Sequence, residues 1–277
     1  MQNQDGSSGK NLEQKEEVMA EEWRLQKISY KVTQAKKYEV AILPVGSTEP
    51  HGLHLPHGSD FFIVGYVADR ICASAIKQGA KVILLPTIPY GVNTNTLKCP
   101  LAISLRPSTL QELIFDVIDS LEHHGILKLI ILNGHGGNEF GSLMREIYGR
   151  TKVFVATVDW WKVGGDMMEK IFTEKGDHAD EFETSVNLEV CPELVHLEDA
   201  RDGRVNPTRF EAINKGWAKI VRAWELLTQD TGYGDPRKAT KEKGKQIVEI
   251  VAQRIAKFVK ELSDTSIDAT FPFFPQT

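Results

Sequence analysis

The sequence predicts an α/β protein, a three-layer α/β/α sandwich around a mainly parallel central sheet. Four short runs rich in Val, Ile and Leu carry that prediction: residues 40–45, 82–85, 127–132 and 153–158. Each has the length of a strand, is nearly continuous rather than alternating, and is bounded by Gly, Pro or polar residues. Continuous apolar runs are expected of strands buried on both faces of a parallel sheet. The second observation is that helical patterns separate the runs, and such alternation builds sheets with helices on both sides.

The elements follow in order. Residues 61–77 place apolar side chains at Phe62, Val64, Val67, Ala68, Ile71 and Ala75, a helical stripe. Residues 107–124 open on Pro-Ser-Thr, a helix start, and close at Gly125, a natural helix stop. Residues 138–148 read as a helix with Asn138 as N-cap. The last helix, residues 236–262, repeats apolar positions at Ile247, Val248, Val251, Ile255, Phe258 and Val259, so one of its faces packs on the sheet. Together, residues 18–265 read as one domain. A polar stretch over residues 1–17 reads as a disordered extension, and the Pro-broken tail over 266–277 is apolar enough to dock on the body or on a neighbouring subunit.

Composition excludes several functions. With 277 residues and a formal net charge of −5, the chain lacks the basic excess of a nucleic-acid binder. Its lysines at 238, 241, 243 and 245 suit a solvated helix face better than a phosphate track. No apolar stretch nears the roughly 18–20 residues of a membrane span, and residues 1–17 lack the apolar core of a secretion signal. Cys72, Cys99 and Cys191 are odd in number and widely spaced, which fits a reducing compartment. The expectation is a cytoplasmic protein acting on a small molecule.

The chemistry-bearing residues collect where strands end, the place where open α/β sheets bind ligands. After the first strand, Glu49 and His51 are two apart, so an extended segment points both to one side. Asp60 follows where the next helix begins; there its carboxylate gains from the helix N-terminus and could bridge two cations. The third strand runs into Asn133-Gly134-His135-Gly136-Gly137-Asn138, where flanking glycines let His135 approach a bound ion closely. Alone, that turn would equally suit an anion at a helix N-terminus. A third cluster spans residues 177–185. Read with the other two it offers more carboxylates and His178, a candidate proton shuttle; read alone it is an acidic helix start. Carboxylate and imidazole ligands of this kind suit Zn, Mn or Fe, and such a site polarises a carbonyl and activates water.

These motifs resemble the creatininase (creatinine amidohydrolase) family. The family pattern Gly-Ser-x-Glu-x-His-Gly, His-Leu-Pro and Gly-[Ser/Thr]-Asp stands at residues 46–60, Asn-Gly-His at 133–135, and His-Ala-x-x-x-Glu-Thr-Ser at 178–185. Thr-Gly-x-Gly-Asp-Pro and the following Ala-Thr-x-x-Lys-Gly match residues 231–244, so the resemblance covers roughly residues 21–262. It implies an α/β/α fold, a homo-oligomer (commonly a hexamer), and two divalent ions on Glu49, His51, Asp60 and His135, with Asp60 bridging. It implies hydrolysis in which water attacks a carbonyl, often of a cyclic amide or a formamide.

Two departures qualify that reading. Creatininases proper carry a glutamate two residues after the motif histidine, where this chain has Gly137. The missing carboxylate is expected from Glu183, with Glu181 the weaker choice. The segment after the second strand reads Gly91-Val92-Asn93-Thr94-Asn95-Thr96-Leu97-Lys98-Cys99-Pro100-Leu101-Ala102 in place of the family's histidine and Pro-Gly-Thr, which argues against creatinine as substrate. Asn93 and Asn95 offer amides for a polar, polyol-like or ureide-like ligand. Trp160 and Trp161 either wall the site or pack under a loop. His54 reads as a partner of a ligand, and His57 as the weakest of the histidines in this segment. Three other readings stay open: carbon–carbon hydrolysis of a cyclic diketone in sugar or inositol breakdown, a role in peptide-derived cofactor maturation, and a non-catalytic metal- or anion-binding protein.

Overall fold

The computed structural model describes residues 22–274. The stretch expected to be disordered, residues 1–17, lies outside the described residues. Strands β1 (Val40–Val45), β2 (Val82–Leu84), β3 (Lys128–Asn133) and β4 (Phe154–Asp159) form one parallel sheet in the order β2-β1-β3-β4. The first three are buried along their whole length, which is why their apolar runs are continuous.

Among the described residues, five helices of seven residues or more pack around the sheet: α1 (Ser59–Lys77), α2 (Pro107–His123), α3 (Gly141–Ile147), α4 (Glu181–Val190) and α5 (Lys241–Asp264). Alternate strand residues serve opposite faces. Val40, Ile42, Ile130 and Leu132 pack with Val64, Val67 and Ile71 of α1 and Ile247, Val251 and Ile255 of α5. Ala41, Leu43, Leu129 and Ile131 pack with Leu110, Ile114 and Ile118 of α2 and Leu143 of α3. Burying each such aliphatic side chain contributes about 1.5–3 kcal/mol, so the two layers fix the sheet between them.

Pro44 sits inside the central strand β1 without breaking the ladder. Its carbonyl accepts from Ile88 N at 3.0 Å, on the side where β2 has already stopped. A residue's N–H and C=O share a side, so the missing donor faces no strand partner. Lys128 opens β3 and is 4 % exposed. Its ammonium donates to Leu262 O at 2.7 Å and to Thr265 O, carbonyls at the C-terminal end of α5, where a cation is favoured.

Element ends differ from the sequence expectation by a few residues, with one substantive correction. Asn138 is not an N-cap, because α3 begins at Gly141 after Phe140. Its side chain instead accepts from Val92 N at 3.0 Å and donates to Gly46 O and Asn133 Oδ1, tying three strand-end loops together. The tail docks through Phe271, edge-to-face with Phe154 at 4.9 Å, while Phe273 and Phe274 are exposed.

The strand order sets the position of the site. From β1 the chain crosses to β2 on one side, then returns past β1 to β3 on the other. The gap between the carboxyl ends of β1 and β3 is therefore the topological switch point.

Candidate metal centre

The switch point holds Glu49, His51 and Asp60 from the β1 exit and His135 from the β3 exit, all at most 7 % exposed. Asp60 lies in the first turn of α1, where the helix N-terminus favours its charge. Gly134 allows the close approach of α1 to the β3 end: a Cβ there would stand 2.6 Å from the Val64 Cβ.

Each of three buried histidines commits one ring nitrogen to a backbone carbonyl. His51 Nδ1 donates to Glu49 O at 3.0 Å, His135 Nε2 to Val92 O at 3.1 Å, and His178 Nδ1 to Thr231 O at 2.9 Å. The second nitrogen of each then faces carboxylates. His51 Nε2 is 3.3 Å from Asp60 Oδ1, and His178 Nε2 is 3.1 Å from Glu49 Oε1. His135 Nδ1 lies 3.2 Å from Glu49 Oε1 and 3.1 Å from Asp60 Oδ2. Carbonyl-anchored imidazoles with the other nitrogen aimed at carboxylates are what metal-ligating histidines show.

The residues fit divalent ions by a second observation. Asp60 Oδ2 is buried with no hydrogen-bond partner, and its neighbour is His135 Nδ1 at 3.1 Å, a charge contact only when that imidazole is protonated. An orphaned buried carboxylate oxygen is costly unless a cation meets it. Two ligand groups share Asp60: Glu49, Asp60 and His135, and His51, Asp60 and Glu183, each with donor atoms within 4.8 Å of one another. Glu49, His51 and His178 form a third such group.

With protons alone, the charges sort strongly. Burial opposes an imidazolium at His51, but Asp60, then Glu183 and Glu49, raise its pKa to about 10. Burial opposes a carboxylate at Asp60, yet His51 and His135 bring it down to about 2. Burial likewise works against charge on His135 and Glu49, and their mutual attraction drives the first well up and the second well down.

Glu183 stands beside His51 and Asp60, its Oε2 accepting from Ala179 N. Glu181 is elsewhere: its carboxylate accepts from Thr173 N and Glu174 N and pairs with Lys243. Gly137 shows why no side chain comes from the family position. A Cβ there would stand 2.3 Å from Val92 O and 2.4 Å from His135 Nε2, in the middle of the hydrogen bond that orients His135.

The centre opens into a cavity of about 420 Å³. Asn95, Trp160, Trp161 and His178 line it. Trp160 is 2 % exposed, lines the cavity and stacks on Phe182 at 5.1 Å. Asn93 corrects its expected role, because its side chain is consumed internally. It accepts from Ser47 Oγ and donates to Thr48 O and Ile103 O. His54 partners Thr184 Oγ1 at 2.8 Å, and burial lowers its pKa to about 4, so it stays neutral. His57 is exposed on Pro100 O.

Several residues were missed in the sequence. Thr96 donates to Glu49 Oε2 at 3.1 Å, from within the segment that departs from the family pattern. Thr231 opens the Thr-Gly-x-Gly motif with φ +66° and presents its carbonyl to His178, while its hydroxyl bridges Gly52 N and Pro50 O. The motif match was the available hint. Trp224, with its ring 4.7 Å from His178, had none.

The creatinine amidohydrolase family profile matches residues 27–259. The chain belongs to the creatininase family. It is similar to 3-dehydro-scyllo-inosose hydrolase of Thermotoga maritima, 30% identical over 83% of this chain and 79% of that protein. Creatinine amidohydrolase of Pseudomonas putida is 28% identical over 80% of this chain and 89% of its own. A Bacteroides fragilis structure provisionally named a creatinine amidohydrolase superposes with a TM-score of 0.81 at 33% identity, covering 89% of this chain and 98% of that one. The named relatives of this creatininase-family chain are hydrolases, and so is the enzyme class to which it belongs. No helix among the described residues is long and apolar enough to cross a membrane.

Proposed function

We propose that this chain hydrolyses a small carbonyl compound with water activated by two divalent ions. The observation that carries the reading is Asp60, whose carboxylate serves both ligand groups and keeps one buried oxygen unpartnered beside an open cavity. Glu49 and His135 would hold one ion, His51 and Glu183 the other, and Asp60 both. Ions in those places would polarise a substrate carbonyl and make bound water acidic enough to react near neutral pH. His178 reaches the cavity with Nε2 on Glu49 and Nδ1 fixed on Thr231 O, which suits it to move a proton between water and leaving group. Trp160 and Trp161 exclude water from one wall, and Asn95 offers a substrate amide contact.

The bond cleaved is a carbon–nitrogen bond of a cyclic amide or formamide in the first reading. Carbon–carbon hydrolysis of a cyclic diketone is the second, favoured by the departing segment 91–102 and by the Thermotoga relative, whose name is that of an inosose hydrolase. Zn or Mn is the expected ion; neighbouring creatininase structures are described as a Zn-Zn type and an Mn form. A homo-oligomer, a hexamer by the family resemblance, is part of the same reading, as is a cytoplasmic location; exposed Trp217, Val221 and Leu226 support the former and three free cysteines the latter.

The test is to strip the protein with a chelator, reload it with Zn or Mn, and assay lactams, formamides and cyclic diketones. Turnover confined to loaded protein is expected, with product analysis naming the bond. Retained turnover after His135→Ala, or a loaded protein inert to every class, sinks the reading.

A further inference from the structure

We propose that Thr96 is a positioning residue of the metal centre: its hydroxyl holds one oxygen of Glu49, so that the other is the one presented to an ion. The inference rests on the two-ion reading above and adds to it a residue outside the ligand groups. Glu49 is 2 % exposed, and its two oxygens keep different company. Oε1 lies 3.2 Å from His135 Nδ1 and 3.1 Å from His178 Nε2, whereas Oε2 meets the Thr96 hydroxyl at 3.1 Å. Oε1 is thus the oxygen on the side of the candidate ligand His135.

The Thr96 hydroxyl has one proton and two acceptors in reach, Glu49 Oε2 and Asn93 O at 3.2 Å. Asn93 O already accepts from Thr96 N at 3.1 Å, and a carboxylate is the stronger acceptor, so the proton goes to Glu49. Without that donor Oε2 would be a buried carboxylate oxygen left unpaired, and the carboxylate would lose the bond that fixes its rotation. The loop itself is held by other bonds. The Asn93 side chain ties it to Ser47, Thr48 and Ile103, Cys99 N donates to Thr96 O at 2.8 Å, and Trp224 N donates to Asn95 O at 3.4 Å. The hydroxyl is therefore spare to the loop and committed to the ligand. Thr96 lies in the segment 91–102 that departs from the family pattern, and its neighbour Asn95 lines the cavity. One loop thus carries both a piece of the cavity wall and the hold on Glu49.

The test is competition for Zn between a chromophoric chelator and the full chain, native or carrying Thr96→Val, Thr96→Ala or Thr96→Ser. The first two remove the hydroxyl, with and without its bulk, and the third keeps it. Thr96→Val and Thr96→Ala are each expected to weaken one of the two ions about 10- to 100-fold, while Thr96→Ser retains native affinity. On a Glu183→Gln background, where the Glu49 group is the one left loaded, Thr96→Val is expected to weaken the remaining ion by the same factor. Native affinity in both hydroxyl-free variants, an equal loss in Thr96→Ser, or no effect on the Glu183→Gln background would each overturn the proposal. A native chain that takes up no ion fails the two-ion reading and this proposal together. A loaded chain that is inert to every carbonyl class, with the Thr96 effects on Zn affinity as expected, fails the hydrolase reading alone.

Discussion

Gly137 and His135 stand so close that a Cβ on the glycine would lie 2.4 Å from the imidazole Nε2, the atom that donates to Val92 O. At the position where creatininases proper carry a glutamate, a side chain here would displace the hydrogen bond that orients the candidate ligand His135. Gly137→Ala is expected to lose the ion of the Glu49–His135 group and about 1–3 kcal/mol of stability through overpacking. Metal analysis beside thermal unfolding checks this; a variant that keeps two ions refutes it.

Substitutions at Asp60 and Glu183 would separate shared from single ligation by the proposed ions. Asp60→Asn is expected to empty both ligand groups, while Glu183→Gln empties the His51 group and leaves the other loaded. Mass spectrometry of intact protein under native conditions counts the ions. Equal losses from the two variants would show that Asp60 is not shared.

Removing metal exposes a pH dependence. His51, raised to about 10, lends its ion pair in full below its ordinary value of 6.5 and loses it as pH climbs towards 10. Asp60, lowered to about 2, lends stability above its ordinary value of 3.8 and loses it as pH falls through 2. Metal-free protein should therefore unfold at its highest temperature between about pH 4 and 6.5 and soften towards pH 10. Unfolding temperatures that rise from pH 6.5 to 10 in chelator would contradict the pairing.

His178→Gln leaves the Asp60 groups intact and removes the proton carrier. Retained metal with kcat lowered about 10²-fold or more is expected. A fall in metal content with unchanged turnover per bound ion would make His178 a ligand instead.

Lys128→Met leaves Leu262 O and Thr265 O without their buried donor. A loss of about 1–3 kcal/mol is expected, read by denaturant unfolding, with turnover per folded molecule unchanged.

Local chemistry by itself determined much of this protein. The apolar runs at residues 40–45 and 127–132 declared strands buried on both faces, and the two-residue spacing of Glu49 and His51 placed both at one strand exit. The expectation of Glu183 came instead from the family resemblance, in which Gly137 stands where creatininases proper carry a glutamate. Tertiary structure decided what depends on distance in space. Asn138 and Asn93 have the residue types of a cap and a substrate ligand, yet cross-loop partners claim their side chains. Glu181 and Glu183 differ by two positions on one helix, and only the fold turns the first to Lys243 and the second to His51 and Asp60. Arg222 meets Asp177 across 45 residues, a contact no periodicity encodes. Strand identity and ligand type are written in neighbouring residues, whereas the partner that satisfies a buried polar group is set by which segments the core brings together.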